Sequence, residues 1–242
     1  MERAVYDRMA EIDEVHWWFT ARRKIIEKVI RTQAAPPPGA RILEVGCGTG
    51  SNLALLQRFG KLDAIEPDDT ARALSSKRGG IEIQGGLLPD GVNLDDGAYD
   101  LIAMLDVLEH IPDDRIALEA LRPKLREGGK LLLTVPAMPW LWSAHDEAHH
   151  HKRRYTGRSL AKVVTGTGYR IAYQSYFNTL LFPLVALARS IGKLTGREGG
   201  DDAMPPAPVN AVLGALFSAE TAWLGRFTFP IGVSLILVAE PA

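Results

Sequence analysis

Residues Ile42-Leu43-Glu44-Val45-Gly46-Cys47-Gly48-Thr49-Gly50 decide the fold. An apolar run with one acidic residue breaks into three alternating glycines, which reads as a buried strand ending in a tight turn. Glycine permits positive φ and lets a ligand come close to the backbone. Asn52, Leu53, Leu55 and Leu56 then begin a helical pattern, so the turn is expected at a helix N-terminus, where free N–H groups favour negative charge. A nucleotide-type ligand fits this arrangement. A plain tight turn competes with it, because a glycine-rich loop alone is a weak signal.

Outward from this loop, strands and helices alternate. Strands are predicted at 41–45, 62–66, 81–84, 99–105, 130–135, 169–176 and 233–240, and helices at 50–58, 68–77, 113–126 and 159–165. Asp68 or Asp69 is the expected N-cap of the second helix, and Pro123 is expected to kink the third. Continuous apolar strands alternating with helices imply a mostly parallel sheet covered on both faces. Before the sheet, His16-Trp17-Trp18-Phe19-Thr20-Ala21-Arg22-Arg23 opens an amphipathic helix that Pro36-Pro37-Pro38-Gly39 ends. This segment, 1–35, reads as a lid that dries a site or as a helix docked on the sheet. Between the last two strands, 178–230 forms an insert with apolar patches at 179–188 and 209–217, joined by a Gly/Asp/Pro-rich link at 199–208. Both patches fall short of the ~20 residues a membrane span needs.

Bulk properties narrow the class. With 242 residues the chain can bury a full core, and one domain over 1–242 is expected. A net charge of −1 gives no sign of a nucleic-acid partner. Cys47 is the only cysteine, so no intrachain disulfide can form, which fits a reducing compartment. The N-terminus has charges and no apolar core of a signal peptide, so a cytoplasmic location is expected.

Nicotinamide dehydrogenases carry G-x-G-x-x-G, and here Ser51 stands where their third glycine would be. Gly-x-Gly-x-Gly after Leu-Glu-Val instead resembles the first motif of class I S-adenosylmethionine (SAM)-dependent methyltransferases. Three further stretches support that resemblance. Glu66 ends a short strand about twenty residues past the first glycine, where an acid accepts ribose hydroxyls, and a strand-end charge capping the next helix competes. The run Met104-Leu105-Asp106-Val107-Leu108-Glu109-His110 resembles the fourth motif of methyltransferases related to the ubiquinone-biosynthesis O-methyltransferases. Leu121-Arg122-Pro123 through Gly128-Gly129 resembles their helix, Gly-Gly turn and fifth strand, with residues inserted where the family commonly runs Pro-Gly-Gly. His151-Lys152-Arg153-Arg154-Tyr155 and His16-Trp17-Trp18-Phe19 look like a bacterial subgroup of the class.

The resemblance implies a Rossmann-like, seven-stranded α/β sheet, mostly parallel with an antiparallel last strand. It implies SAM as cofactor, held by Glu44, Gly46, Cys47, Gly48, Gly50, Glu66, Pro67, Met104, Leu105 and Asp106. Arg22 or Arg23 is a candidate partner for the SAM carboxylate; a solvated helix face competes. Substrate contacts are expected from Trp18, His110, Arg153, Arg154 and Tyr155, although the arginines also fit a structural network with Asp146 and Glu147, and Glu109 and His110 also fit a loop-holding role. If the acceptor is a hydroxyl or an acidic carbon, a histidine base suits neutral pH. His151 is the first candidate, with His145 and Asp146 in reserve. No metal is expected, because consecutive histidines point apart and no carboxylate–His helical spacing frames them.

The expected function is methyl transfer to a small-molecule or lipid-like acceptor, at oxygen. A SAM-binding protein without methyl transfer and a nicotinamide oxidoreductase are the alternatives. The insert reads as a lid, a dimer interface or a membrane-surface element, and the chain as a monomer or homodimer.

Overall fold

The computed structural model describes residues 3–195 and 203–242, with side chains from residue 8 onward. Residues 199–202 of the Gly/Asp/Pro-rich link lie outside the described residues. Two helices open the chain, α1 (Arg3–Ile12) and α2 (Trp17–Val29), and a π-helical turn, Ile30–Ala34, extends the second. Strand β1 (Ala40–Val45), helix α3 (Leu53–Leu56), strand β2 (Gly60–Ile65) and helix α4 (Asp69–Gly79) follow. Next come β3 (Tyr99–Leu105), α5 (Asp114–Leu121), β4 (Leu125–Pro136), α6 (Ala144–Ala148), α7 (Gly157–Gly166) and β5 (Tyr169–Phe177). Helices α8 (Phe182–Thr195) and α9 (Ala207–Ala219) form the insert, and β6 (Ser234–Pro241) closes the sheet.

The sheet has six strands in the order β2-β1-β3-β4-β6-β5. The first four run parallel, and β6 slots antiparallel between β4 and β5. The expected seventh strand at 81–84 is reduced to one parallel bridge, Ile65 to Gln84. Gly79-Gly80 and Gly85-Gly86 flank it and Glu82 interrupts its apolar pattern, so four residues cannot sustain a ladder. Two helix expectations also shorten. The one at 50–58 contracts to the four residues of α3, and the one at 113–126 stops at Leu121 instead of kinking, with Arg122–Lys124 forming a 3₁₀ turn around Pro123. Asp68 is the N-cap of α4, accepting from the N–H groups of Thr70 and Ala71.

Alternation along the strands divides the core into two layers. Ile42, Leu101, Ala103, Leu132, Ile236 and Val238 face α2 and α9 through Ile25, Ile26, Val29 and Phe217. Leu43, Val45, Ile102, Met104, Leu133 and Leu237 face α5 and α7 through Leu118, Leu121, Leu160 and Val164. Helices on both faces leave the carboxyl ends of β1, β2, β3 and β4 as the open edge, where parallel α/β sheets bind ligands. Helix α2 docks by burying Ala21, Ile25, Ile26 and Val29. Its first turn, Trp17 to Phe19, reaches over that edge.

Candidate functional site

A cavity of about 580 Å³ opens at this edge. Its first wall is the glycine loop. The N–H groups of Gly46 and Cys47 both donate to Ile65 O, at 2.8 and 3.1 Å, which ties the loop to the end of β2. Gly48 has φ +54, and a Cβ there would meet nothing within 4 Å, so the loop faces open space at that point. Gly50 has the opposite surroundings. A Cβ there would stand 2.9 Å from Leu53 and 3.0 Å from Ser75, and the residue seats α3 against α4. With α3 only one turn long, no helix dipole of consequence points at the cavity, which corrects the expected anion-binding helix terminus.

Glu66 accepts from Gly48 N–H at 2.8 Å with one carboxylate oxygen and from Asp68 N–H at 3.0 Å with the other. Burial pushes its carboxyl up, and those two backbone donors pull it back. Each oxygen keeps acceptor capacity for a hydroxyl. Cys47 is buried, and burial lifts its thiol to about 12, so it is a small packing residue and no nucleophile. Glu44 lies behind the loop, away from the cavity wall. One oxygen accepts from Asn52 Nδ2 at 3.1 Å, the other has no partner, and burial raises the carboxyl to about 7.

The floor is a cross-link between α2 and the sheet. Arg22 Nη2 lies 2.7 Å from Asp106 Oδ2 and donates to Thr134 Oγ1 at 2.8 Å, and its guanidinium covers the Trp18 ring at 5.2 Å. Thr134 in turn donates to Asp106 Oδ1 at 3.0 Å. Asp106 has φ +60 and Asn178, on the far wall, has φ +56. Asp and Asn tolerate this left-handed backbone, and such conformations gather at functional sites.

The opposite wall is built of imidazoles and one carboxylic acid. Lys152 N–H donates to Glu109 O at 2.8 Å, which brings the histidine loop against the turn after β3. Ring centroids of His110 and His151 are 4.8 Å apart, and those of His145 and His149 4.1 Å. His151 Nδ1 lies 2.8 Å from Asp146 Oδ1. Asp146 is wholly buried, caps α6 through Ser143 N–H at 2.9 Å and accepts from Arg154 Nε at 2.7 Å. Burial pushes its carboxyl up, but the bonds from His151 and Arg154 outweigh that and hold it well below the usual carboxylate range. An ionised Asp146 only accepts, so a neutral His151 carries its proton on Nδ1 and presents Nε2 as an acceptor. Nε2 faces Glu109 Oε1 at 4.0 Å.

Glu109 is fully buried, and neither of its side-chain oxygens has a hydrogen-bond partner. Burial, then the charge of Asp106, raises its carboxyl well above the usual range. Burial, reinforced by His151, lowers His110 to about 3, which keeps that ring neutral. Glu109, His110 and His151 offer ligand atoms within 4.8 Å of one another, a set able to hold a metal ion. Spacing along the histidine loop does not reveal this set, because Glu109 and His110 come from the turn after β3.

Helix α8 closes the cavity with Val185 and Arg189, and Asn178 joins them from the end of β5. Glu220 anchors this closure. It is buried and accepts from the N–H groups of Asn178, Thr179 and Leu180 at 2.8, 2.6 and 2.8 Å.

Of the expected residues, Gly46, Cys47, Gly48, Glu66, Pro67, Leu105, Asp106, Arg22, Trp18, His110, His145, His151 and Arg154 line the cavity. Glu44, Gly50 and Met104 support it from behind, Met104 from the sheet layer facing α5. Asp146 sits behind His151. Arg153 and Tyr155 turn away to Asp114, with Arg153 Nη1 at 2.8 Å from its carboxylate and the Tyr155 hydroxyl donating to it at 2.8 Å. They brace the start of α5, and the partner of Arg153 is Asp114, not Glu147. Thr49, Asn178 and Arg189 line the cavity without having been singled out, and Glu109, named beside His110 for a loop-holding role, lines it as well. For Asn178 the signal was a polar residue following the apolar end of β5.

Comparison with known proteins agrees with this geometry. Residues 17–174 match the family model described as a methyltransferase domain. A ubiquinone biosynthesis O-methyltransferase of Xanthomonas axonopodis pv. citri is 33% identical over 105 residues, covering 41% of this chain and 44% of that protein. A trans-aconitate 2-methyltransferase of Deinococcus radiodurans is 33% identical over 115 residues, covering 47% of this chain and 42% of that protein. Both matches thus span less than half the length of the relative. The geranyl diphosphate C-methyltransferase of Streptomyces coelicolor A3(2), solved with Mg²⁺, geranyl diphosphate and S-adenosyl-L-homocysteine, superposes with a TM-score of 0.62 at 12% identity, covering 92% of this chain and 80% of that one. The chain belongs to the methyltransferase-domain family and has the class I fold of the SAM-dependent methyltransferases.

Proposed function

We propose that this protein is a SAM-dependent methyltransferase acting on oxygen in a small, largely apolar or lipid-like acceptor. The observation that carries the reading is one cavity with two chemically distinct walls, the glycine loop with Glu66 on one side and the Glu109/His151 group on the other. The residues fit the cofactor. Gly48 leaves room at the loop, and the buried Thr49 Oγ1 and Asn178 Oδ1 lack partners on the cavity wall. Glu66 would hold the ribose hydroxyls, and the loop backbone with Leu105 and Asp106 the remainder. Arg22 is already committed to Asp106, so its effect on the cofactor carboxylate runs through that pair.

When bound, SAM supplies a methyl group already activated by its sulfonium. The protein's own work is alignment, exclusion of water and handling of a proton. Trp17, Trp18 and Phe19 cover the cavity from α2 and keep it apolar. His151 Nε2 takes the acceptor proton, and Asp146 fixes the tautomer and stabilises the imidazolium that results. Glu109, whose carboxyl burial pushes up, faces the same Nε2 at 4.0 Å. His110 and Arg154 shape the acceptor end.

Titration calorimetry with SAM, followed by an assay for S-adenosylhomocysteine release across hydroxylated acceptors, tests the reading. Micromolar binding and acceptor-dependent release are expected. Binding without release across the panel would leave a SAM-binding protein, and preference for NAD over SAM would overturn the reading altogether.

A further inference from the structure

We propose that the outward faces of α8 and α9 rest on an anionic phospholipid surface. The observation is an inversion of polarity. A helix at a protein–water boundary turns its polar side chains outward. On α8 Arg189 turns back toward the cavity, and Lys193, though exposed, bonds a neighbouring carbonyl. Arg189 Nη1 donates to Leu141 O at 2.6 Å and Lys193 Nζ to Trp140 O at 2.9 Å. The Ser190 and Thr195 hydroxyls donate to carbonyls of their own helix, Ala186 O and Ile191 O. On α9 there is no charged residue, and Asn210 turns inward, accepting from Trp17 N–H and donating to Val15 O.

What faces out is hydrocarbon. Leu184, Leu187, Ile191 and Leu194 are 56, 58, 50 and 87% exposed, and their spacing puts them along one stripe of α8. Val209, Val212 and Leu216 on α9 are 46, 58 and 44% exposed. Trp140, Trp223 and Phe227 are also exposed, and Trp is a residue type that settles at headgroup level. No helix among the described residues is long and apolar enough to cross a membrane, so the helices would lie in the interface.

Charge selects the lipid. Among the described residues of the insert, the exposed charged side chains are Lys193 and Arg226, both cationic, while the carboxylate of Glu220 is buried. Arg197, Glu198, Asp201 and Asp202 lie outside the described residues. The inner side of α8 supplies Val185 and Arg189 to the cavity, so this helix separates the lipid surface from the site. An acceptor dissolved in the bilayer would then have a short path to His151.

Vesicle co-sedimentation tests this independently of activity, so its failure would leave the methyl-transfer reading standing. The full chain is mixed with phosphatidylcholine vesicles and with vesicles in which one third of the lipid is phosphatidylglycerol. Binding to the anionic vesicles is expected. The pair Leu187→Gln and Ile191→Gln, on exposed positions, is expected to weaken it at least about tenfold. Lys193→Gln and Arg226→Gln are each expected to weaken it about fivefold. SAM calorimetry on each variant confirms folding. Absence of binding to anionic vesicles, equal binding to both vesicle types, or unchanged binding by the Leu187/Ile191 pair would overturn the proposal. So would a dimer in sedimentation velocity that the same pair dissociates, which would give the face to a second copy of the chain.

Discussion

The two walls of the cavity are built by different means. The loop wall is held by backbone: Gly46 and Cys47 donate to Ile65 O, and Glu66 is fixed by two main-chain N–H groups. Every element of it comes from 40–68, within one β-α-β stretch. The histidine wall is held by side-chain charge: Asp146 is balanced by Arg154 and bonded to His151, and Glu109 stands unpartnered beside them. Its parts come from the turn after β3 and from the stretch after β4 that includes α6. Main-chain bonding makes the first wall tolerant of side-chain change outside the glycines and Glu66. The second wall depends on a few buried ionisable groups whose balance one substitution can upset.

The sharpest way to separate the walls is His151→Ala. Turnover is expected to fall about 10²–10⁴-fold, the usual contribution of a general base, with the Kd for SAM unchanged by calorimetry. Equal loss of SAM binding would show that the walls are not separable. Arg22→Ala, which breaks the floor between them, is expected to cost about 3 kcal/mol in denaturant unfolding, because Asp106 loses its buried partner and the Trp18 ring its cation.

Glu44 tests the loop wall from behind. Its carboxyl titrates near 4.5 when exposed and about 7 in the fold. Below 4.5 it is protonated in both states and adds nothing. Between these values the unfolded chain ionises first, so the stability contribution falls as pH rises and is level above 7. The whole drop is about 3 kcal/mol. Glu44→Gln should flatten that part of the unfolding-midpoint profile and make the protein more stable than the parent at pH 8. A parallel profile in the variant would put the titration elsewhere.

Glu66→Ala is expected to weaken SAM binding by about 10- to 100-fold, the range for hydrogen bonds to a charged group, with turnover at saturating SAM nearly kept. A fall in turnover at unchanged affinity would move Glu66 to the other wall. The smallest expected effect is that of a chelator. Because burial favours neutral Glu109, turnover after dialysis against a chelator should be unchanged. Loss restored by a divalent cation would make Glu109, His110 and His151 a cation site.

The difference between the walls also sets what could be read in advance. Glycine spacing, Glu66 and the polar end of β3 are local signals, because one strand–turn–strand unit places them. The segment 81–84 reads as a strand, yet Glu82 and its flanking glycines leave it a single bridge. Arg153 and Tyr155 sat beside Arg154 in one motif, but backbone direction past the His150 residue, with φ +56, and the parallel bridge from Ala137 to Tyr155 sent them to Asp114. Apolar patches at 179–188 and 209–217 were plain in the sequence, but not which of their sides would meet solvent.

By itself, the sequence determined the alternating α/β sheet, the glycine loop, the acid at the end of β2 and the histidine-rich loop after β4, because each depends on residues a few positions apart. Only the tertiary structure decided that Arg22 belongs to Asp106, that Glu109 lacks a partner beside His151, and that α8 turns Arg189 to the cavity and its leucines outward. Those outcomes depend on which groups meet after burial, and burial sets the price of every charge according to the neighbours that the fold supplies.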